Sequence, residues 1–134
     1  MADKVSFELV SPDRLLMSVD ADAVAMPGME GDFGVLPGHA PLISALRAGV
    51  IEVEGAGGDS PDRVYIAGGF AEVAADRLVV LAEEAVVVAD MDRADLDQRV
   101  QDANDELSSA EEGEERRLAE GKIAALQELL GGAR

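Results

Sequence analysis

The hydrophobic period of this sequence changes near residue 90. All five prolines and ten of the fourteen glycines precede that point, where they separate short segments in which every second residue is apolar. From Asp92 onward, apolar residues recur every three or four positions. Alternation interrupted by turn residues predicts β-strands, whereas the longer period predicts amphipathic helix. We therefore expect a β-domain over residues 1–90 and a helical domain over residues 91–134.

The first domain is predicted to contain eight to ten short strands. Apolar and polar residues alternate in segments 5–10 and 51–54, and in segment 15–26 with a break at its acidic residues. Leu78–Leu81 and Val86–Val88 are short valine-rich runs, which fit buried strands. Short strands at this spacing predict an antiparallel β-sandwich or flattened barrel.

Two apolar stripes at helical spacing predict the second domain. Asp92 is the expected N-cap, and Asp95 stands at the reciprocal position of a capping box. The first stripe covers residues 96–107, and the second covers residues 119–130 and is widened by Leu118 and Leu129. We expect an antiparallel helical hairpin. Such a hairpin buries little by itself, so its stability should depend on a docking surface.

Composition favours a binding protein over an enzyme. With 28 acidic and 11 basic residues, the net charge of −17 disfavours binding to nucleic acid and to anionic lipid. The absence of Cys and the single His exclude thiol chemistry and sites that need two imidazoles. Acidic pairs such as Asp20 and Asp22 lack the spacing of an EF-hand loop. The sequence therefore predicts no catalytic residues, no metal and no cofactor.

No segment predicts direct insertion into a membrane. The longest apolar runs are Leu78–Ala82 and Ala85–Ala89, with five residues each, whereas a helix that spans a bilayer needs about 20. The N-terminal residues include charges at Asp3, Lys4 and Glu8, so no signal peptide is expected. Any membrane association is expected to pass through another protein.

One long motif resembles the epsilon subunit of F-type ATP synthases. It is the glycine- and proline-rich stretch Pro27–Leu42, which reads PGMEGDFGVLPGHAPL. Three further segments agree with that family in order and spacing: Phe7–Pro12, Gly68–Val73 and Val79–Glu83. The resemblance extends over the whole chain as a sandwich followed by two helices, and it is least specific after residue 91.

The resemblance implies a subunit of the central stalk. Its sandwich would pack on the gamma subunit and on the polar loops of the membrane-embedded c-ring, and would couple proton-driven rotation to ATP synthesis in the catalytic head. In the family, the loop that holds the GDFG and PGHAP segments faces the ring. Carried over to this sequence, the c-ring and gamma interface would include Asp32 and His39, with Glu30 as a neighbour.

The same resemblance gives the hairpin a regulatory role. Some family members bind ATP through a first-helix motif of the form Ile/Leu-Asp-x-x-Arg-Ala, which here reads MDRADL over residues 91–96. Asp92 is retained, but Asp95 replaces the arginine. A carboxylate at that position repels phosphate. ATP binding is therefore expected to be weak or absent.

Inhibition of ATP hydrolysis is expected to be weak. Inhibitory members present basic residues of the second helix to the catalytic alpha and beta subunits, which would be transient partners. The candidates here are Arg116, Arg117 and Lys122, and they stand among glutamates that include Glu111 and Glu120. Net repulsion should limit their contact with acidic segments.

The resulting expectation is a non-catalytic coupling subunit, peripheral at the cytoplasmic face of a bacterial inner membrane. Two alternatives remain from the residues. A stand-alone nucleotide-sensing or scaffold module would need an arginine cluster near the hairpin, and Asp95 argues against the nucleotide version. A small β-barrel enzyme would have to work with one His and no Cys.

Overall fold

The computed structural model describes residues 4–56, 62–110 and 113–132. Within them lie ten strands, a short 3₁₀ helix at Val88–Asp90 and two α-helices. The glycine-rich stretch Gly55–Asp59, whose turn residues predict a hairpin loop, lies outside the described residues from position 57 onward. The strands are β1 (Val5–Val10), β2 (Leu15–Ala21), β3 (Ala23–Met26), β4 (Phe33–Val35), β5 (Leu42–Leu46), β6 (Gly49–Glu54), β7 (Arg63–Ile66), β8 (Gly69–Val73), β9 (Arg77–Ala82) and β10 (Ala85–Val87).

The strands form two five-stranded sheets that face each other. The first sheet has the order β2-β1-β9-β8-β5, and the second has the order β10-β7-β6-β3-β4. The predicted β-sandwich is confirmed. One neighbouring pair departs from the antiparallel arrangement, because β1 and β9 run parallel with Phe7 opposite Leu78. A parallel pair needs a long connection, and here most of the sandwich lies between the two strands.

Asp22 marks the point at which the chain passes from one sheet to the other. The alternating segment 15–26 forms β2 in the first sheet and β3 in the second, with Asp22 between them. The Asp22 carboxylate lies 2.7 Å from Nζ of Lys4. The predicted break at the acidic residues is confirmed, because a change of sheet interrupts the alternation.

The main apolar core fills the space between the sheets. Strand β1 shows how it is built, because Val5, Phe7 and Leu9 are buried whereas Ser6 and Glu8 are less so. Because side chains alternate across a strand, the same rule places one set from each of β1 to β9 inside. The buried members are Val5, Phe7, Leu9, Met17, Ala21, Val24, Met26, Val35, Leu46, Ile51, Val53, Val64, Ile66, Ala71, Val73, Leu78, Val80 and Ala82.

Two helices follow, α1 (Arg93–Ser109) and α2 (Glu114–Gly132). The predicted capping box is present. The Asp92 carboxylate accepts a hydrogen bond from the backbone N–H of Asp95 at 2.8 Å, and the Asp95 carboxylate accepts one from the N–H of Asp92 at 3.3 Å. Gly113, with φ of +106°, precedes α2. The predicted helical hairpin is confirmed.

The hairpin packs on the outer face of the second sheet and forms a second apolar cluster. Leu96, Leu126 and Leu129 are buried there against Tyr65 of β7. Val88 and Met91 pack against the same cluster, one on each side of the proposed domain boundary at residue 90. That boundary stays a prediction. Leu118, expected in the apolar stripe of α2, is instead 41% exposed.

Neither helix in the described part of the chain is both long and apolar enough to cross a membrane.

Candidate functional site: interaction surfaces

The outer face of the first sheet carries exposed apolar side chains in register. Val10 lies opposite Leu15 and also beside Leu81. Leu81 lies opposite Phe70, which in turn lies opposite Ala45. Together with Ile43, these residues are called the apolar face: Leu15, Val10, Leu81, Phe70, Ala45 and Ile43.

No other described residues cover the apolar face, whereas the hairpin covers the outer face of the second sheet. Leu15, Leu81 and Phe70 are 55%, 56% and 58% exposed, and Ile43 is 73% exposed. Single exposed apolar residues are ordinary, but a contiguous row of them marks an interaction surface. The prediction that Leu78–Leu81 forms a buried strand holds for one face only, because Leu78 and Val80 are buried in the core whereas Leu81 is exposed.

The turn between β3 and β4 presents two of the predicted interface residues at one end of the sandwich. Glu30 and Asp32 are both exposed, and Asp32 forms an ion pair with Arg47. The turn is tight, because a Cβ atom on Gly28 would lie 2.4 Å from the carbonyl oxygen of Gly31. Gly31 itself has φ of +137°, a conformation that side chains disfavour. Glycine at these two positions permits the tight turn that places the carboxylates of Glu30 and Asp32 at this end of the sandwich.

His39 lies at the opposite end of the sandwich. Strand β4 runs from the Asp32 end to the His39 end, and the loop after it is held to the β8–β9 turn by a 2.6 Å hydrogen bond from Gly38 N–H to the Ala75 carbonyl. Nδ1 of His39 lies 2.7 Å from the carbonyl oxygen of Ala40. The expectation that one loop presents Asp32 and His39 together was wrong, because a strand separates them.

The position of the family arginine is occupied by a capping residue. Asp95 lies in the capping box at the start of α1, beside a shallow depression of about 370 Å³. Glu84, Asp102 and Arg99 also line this depression. The positive charge of Arg99 is offset by an ion pair, because its Nη1 lies 3.0 Å from Oε1 of Glu84. The local charge is therefore unfavourable for a polyphosphate.

The basic residues of α2 stand close to carboxylates. Nε of Arg116 lies 3.8 Å from Glu120, and Nζ of Lys122 lies 3.1 Å from Glu106 of α1. Arg117 is exposed, and its backbone N–H bonds to the carbonyl of Gly113. Two of the three candidate inhibitory residues thus have an acidic neighbour within the hairpin.

Tyr65 is the residue that sequence reasoning missed. Alternation places it on the outer face of β7, yet it is 1% exposed because the hairpin covers it. Burial raises the pKa of Tyr65 to about 12, with further contributions from Glu84 and Glu106 that Arg99 opposes. The available signal was the apolar character of Val64, Tyr65 and Ile66 in succession, which is typical of a strand buried on both faces.

Within residues 4–56, 62–110 and 113–132, no group of three or more His, Asp or Glu side chains is arranged to hold a metal ion.

These observations define a class of protein: a β-sandwich with a docked helical hairpin and an uncovered apolar face. Residues 4–88 match the family model for the β-sandwich domain of the ATP synthase delta/epsilon chain. The ATP synthase epsilon chains of Parvibaculum lavamentivorans and Maricaulis maris are each 46% identical over 129 residues, or 96% of this chain, and the match covers 97% and 96% of theirs. The chain belongs to the ATP synthase delta/epsilon chain family.

Solved structures agree with this assignment. A chain of the Euglena gracilis mitochondrial ATP synthase, in its OSCP/F1/c-ring structure, superposes with a TM-score of 0.75 at 27% identity and covers all of this chain and 83% of its own length. A chain from the central stalk and c-ring of the Tetrahymena thermophila enzyme has a TM-score of 0.70 and covers 95% of this chain and 96% of its own length. At 9% identity, the second match supports the fold alone.

Proposed function

We propose that this chain is a non-catalytic central-stalk subunit of a proton-translocating F-type ATP synthase. In that role it couples rotation of the c-ring to ATP synthesis in the catalytic head. It would sit peripherally at the cytoplasmic face of a bacterial inner membrane, held there by its partner subunits. The observation that carries the proposal is the 46% identity to an ATP synthase epsilon chain over 96% of this chain. The apolar face supplies a surface on which we expect neighbouring subunits to pack.

The gamma subunit is the proposed partner of the apolar face. A stable protein interface buries at least about 1,000 Å² and is centred on aromatic and large aliphatic side chains. Phe70, Leu81 and Leu15 lie on three different strands of one stiff sheet. A rigid sheet transmits torque without paying the ordering entropy that a flexible segment would incur. His39 lies at the end of the sandwich nearer to Ile43, so we assign it to the same partner.

The c-ring is the proposed partner of the β3–β4 turn. Glu30 and Asp32 are exposed carboxylates at the other end of the sandwich. Polar loops of a ring are suited to hydrogen bonds and ion pairs with such groups. With gamma on the apolar face and the ring at the turn, the two partners would contact adjoining parts of the same rigid body.

The test of the gamma assignment is co-purification from cells in which the tagged chain replaces the native subunit. Phe70→Glu is expected to reduce recovered gamma and c-ring at least about tenfold, because it places a charge in the centre of the interface. Ala124→Glu is the matched control, since it adds the same charge at an exposed position of α2. Equal recovery with both variants would contradict the assignment.

A charge swap tests the ring contact. Asp32→Lys is expected to weaken retention of the ring, and adding Arg47→Asp restores the internal ion pair with reversed polarity. If the c-ring contacts Asp32 directly, retention of the ring should stay reduced in the double variant. Recovery in the double variant would show instead that Asp32 serves only to pair with Arg47.

For the hairpin we propose regulation with weak self-inhibition through transient contact with the alpha and beta subunits. Support comes from Arg116 and Lys122, whose charges have acidic neighbours inside the hairpin. Deletion of residues 91–134 is expected to change ATP hydrolysis by the purified enzyme less than about twofold. A several-fold rise would contradict weak inhibition.

We also propose that ATP is not a bound ligand of the free chain at micromolar concentration. The carboxylates of Glu84, Asp95 and Asp102 surround the depression beside α1. Calorimetric titration with ATP is expected to give no saturable heat in this range. A dissociation constant in the micromolar range would overturn this proposal and favour the nucleotide-sensing alternative.

A further inference from the structure

A groove separates the tip of the hairpin from one end of the sandwich. It measures about 480 Å³ and is lined from both sides. The sandwich contributes Met29, Phe70 and the Gly68–Gly69 turn, and the hairpin contributes Leu118 and the end of α1 at Ser109. An occupant of this groove would therefore touch both domains at once.

Exposed apolar side chains form much of the groove. Met29 is 49% exposed, Phe70 is 58% exposed and Leu118 is 41% exposed, and each reaches the groove from a different element. Phe70 also belongs to the apolar face, so the groove continues that surface toward the hairpin. Side chains of this kind in a concave setting fit the apolar side of a helix.

The groove is acidic at its edges. Glu83, Glu106, Glu114 and Glu115 line it, against the single ammonium group of Lys122. The Lys122 ammonium lies 3.1 Å from Glu106, so its charge is offset. None of the ion pairs between described residues involves Glu83, Glu114 or Glu115. The electrostatic potential of the rim is thus complementary to a cationic partner.

We propose that this groove binds a basic amphipathic helix of another protein, with apolar residues against Met29 and Leu118 and with Lys or Arg toward the acidic rim. Because both domains line the groove, such a helix binds the docked arrangement better than any arrangement in which the hairpin has left the sandwich. Differential affinity of this kind shifts the population toward the docked state. The bound helix therefore stabilises the hairpin in its docked position on the second sheet, a role that the coupling function does not require.

The test uses the full chain and a fluorescent synthetic peptide of about four helical turns, with Leu at the i, i+3, i+4 and i+7 spacing and Lys elsewhere. Anisotropy is read at about 0.15 M salt, which screens non-specific attraction to the acidic protein. Leu118→Gln is expected to weaken binding at least about fivefold. Leu36→Gln is the matched control, because Leu36 is 60% exposed at the far end of the sandwich, and it should change binding less than about twofold.

A second pair of variants tests the rim. Glu115→Gln and Asp97→Asn each remove one exposed carboxylate from the hairpin, but only Glu115 lines the groove. Glu115→Gln is expected to weaken binding about two- to threefold, with no change for Asp97→Asn. Equal effects within either pair, or equal binding of a peptide with Glu in place of Lys, would overturn the proposal.

The holding role is tested by hydrogen exchange of the helices. With the Lys peptide bound, exchange of amides in α1 and α2 is expected to slow at least about threefold. Unchanged exchange under saturating peptide would overturn the claim that the occupant stabilises docking. The Leu118→Gln variant should still co-purify with gamma and the c-ring, because Leu118 lies outside the apolar face. Loss of peptide binding in this variant can therefore be distinguished from failure of the proposed central-stalk role.

Discussion

The two apolar clusters of this protein differ in how they are built. The cluster between the sheets draws large side chains such as Phe7, Leu9, Ile51 and Leu78 from nearly every strand. The cluster under the hairpin consists of Tyr65, three buried leucines and four alanines, which are Ala48, Ala67, Ala103 and Ala125. Because burial of alanine stabilises much less than burial of leucine or phenylalanine, the hairpin is attached more weakly than the sheets are to each other.

The difference between the two apolar clusters indicates which part of the molecule should open more readily. We expect the sandwich to unfold only when its common core is lost, whereas undocking of the hairpin should cost only the smaller cluster and the Arg99–Glu84 ion pair. Partial opening with a free energy below that of global unfolding is expected where few apolar contacts hold an element. Loss of a side chain from either cluster should therefore have different consequences.

Removal of Phe7 should have the largest effect. Phe7 is fully buried between the sheets, so Phe7→Ala is expected to lower the free energy of unfolding by about 3–5 kcal/mol. Denaturant unfolding followed by circular dichroism measures this change. Phe70→Ala is the control, because Phe70 is 58% exposed, and it should cost less than about 1 kcal/mol. Similar losses in both variants would remove the distinction between core and apolar face.

Truncation of Leu126 should act on the hairpin alone. Leu126 is 2% exposed in the second cluster, and Leu126→Ala is expected to cost about 2–3 kcal/mol of docking free energy. Hydrogen exchange should speed up in α1 and α2 and stay unchanged in β1 and β9. Equal acceleration in the strands would mean that the two clusters unfold as one unit.

The single tyrosine of the chain reports docking directly. Burial raises the pKa of Tyr65 to about 12, and Glu84 and Glu106 add to the effect while Arg99 opposes it. Ultraviolet titration of tyrosinate is expected to give a midpoint near that value in the native chain. In Leu126→Ala the midpoint should move toward about 10, the value of an exposed tyrosine. An unchanged midpoint in that variant would show that the hairpin does not cause the shift.

The sign of the pH effect follows from the same pKa. Between pH 10 and pH 12 the docked state retains the hydroxyl proton of Tyr65 more often than the undocked or unfolded state. The contribution of Tyr65 to the stability of the docked hairpin is therefore complete below about pH 10 and is lost as the pH rises through about 12. Protection of the helices should fall over this window, and Tyr65→Phe should lack this dependence.

Local patterns were sufficient for most of the fold. Alternation in β1 predicts which residues face the core, and the spacing of Asp92 and Asp95 predicts the start of α1. These predictions depend on residues close in sequence, where geometry is fixed by the strand or helix itself.

Surfaces were not predictable in this way, because they depend on which strands become neighbours. Leu81 is exposed, although its segment is as apolar as a buried strand, since no other described part of the chain covers the outer face of the first sheet. Tyr65 is buried because a helix from more than 30 positions away packs on it. Asp32 and His39 are close in sequence but lie at opposite ends of β4. Each of these outcomes depends on packing between elements far apart in sequence, which local sequence patterns do not predict.

The smallest expected effect concerns the start of the hairpin. Asp95→Ala removes the carboxylate that accepts the Asp92 N–H bond and is expected to destabilise α1 by about 0.5–1 kcal/mol. Asp97→Ala is the matched control, because it makes the same substitution two positions later on an exposed part of the same helix. Both changes raise helix propensity equally, so the difference between them isolates the cap. Since the cap stabilises only one turn, helical hydrogen exchange should change while the denaturation midpoint of the sandwich does not. A shift of that midpoint by Asp95→Ala would mean that the start of α1 is part of the sandwich's cooperative unit.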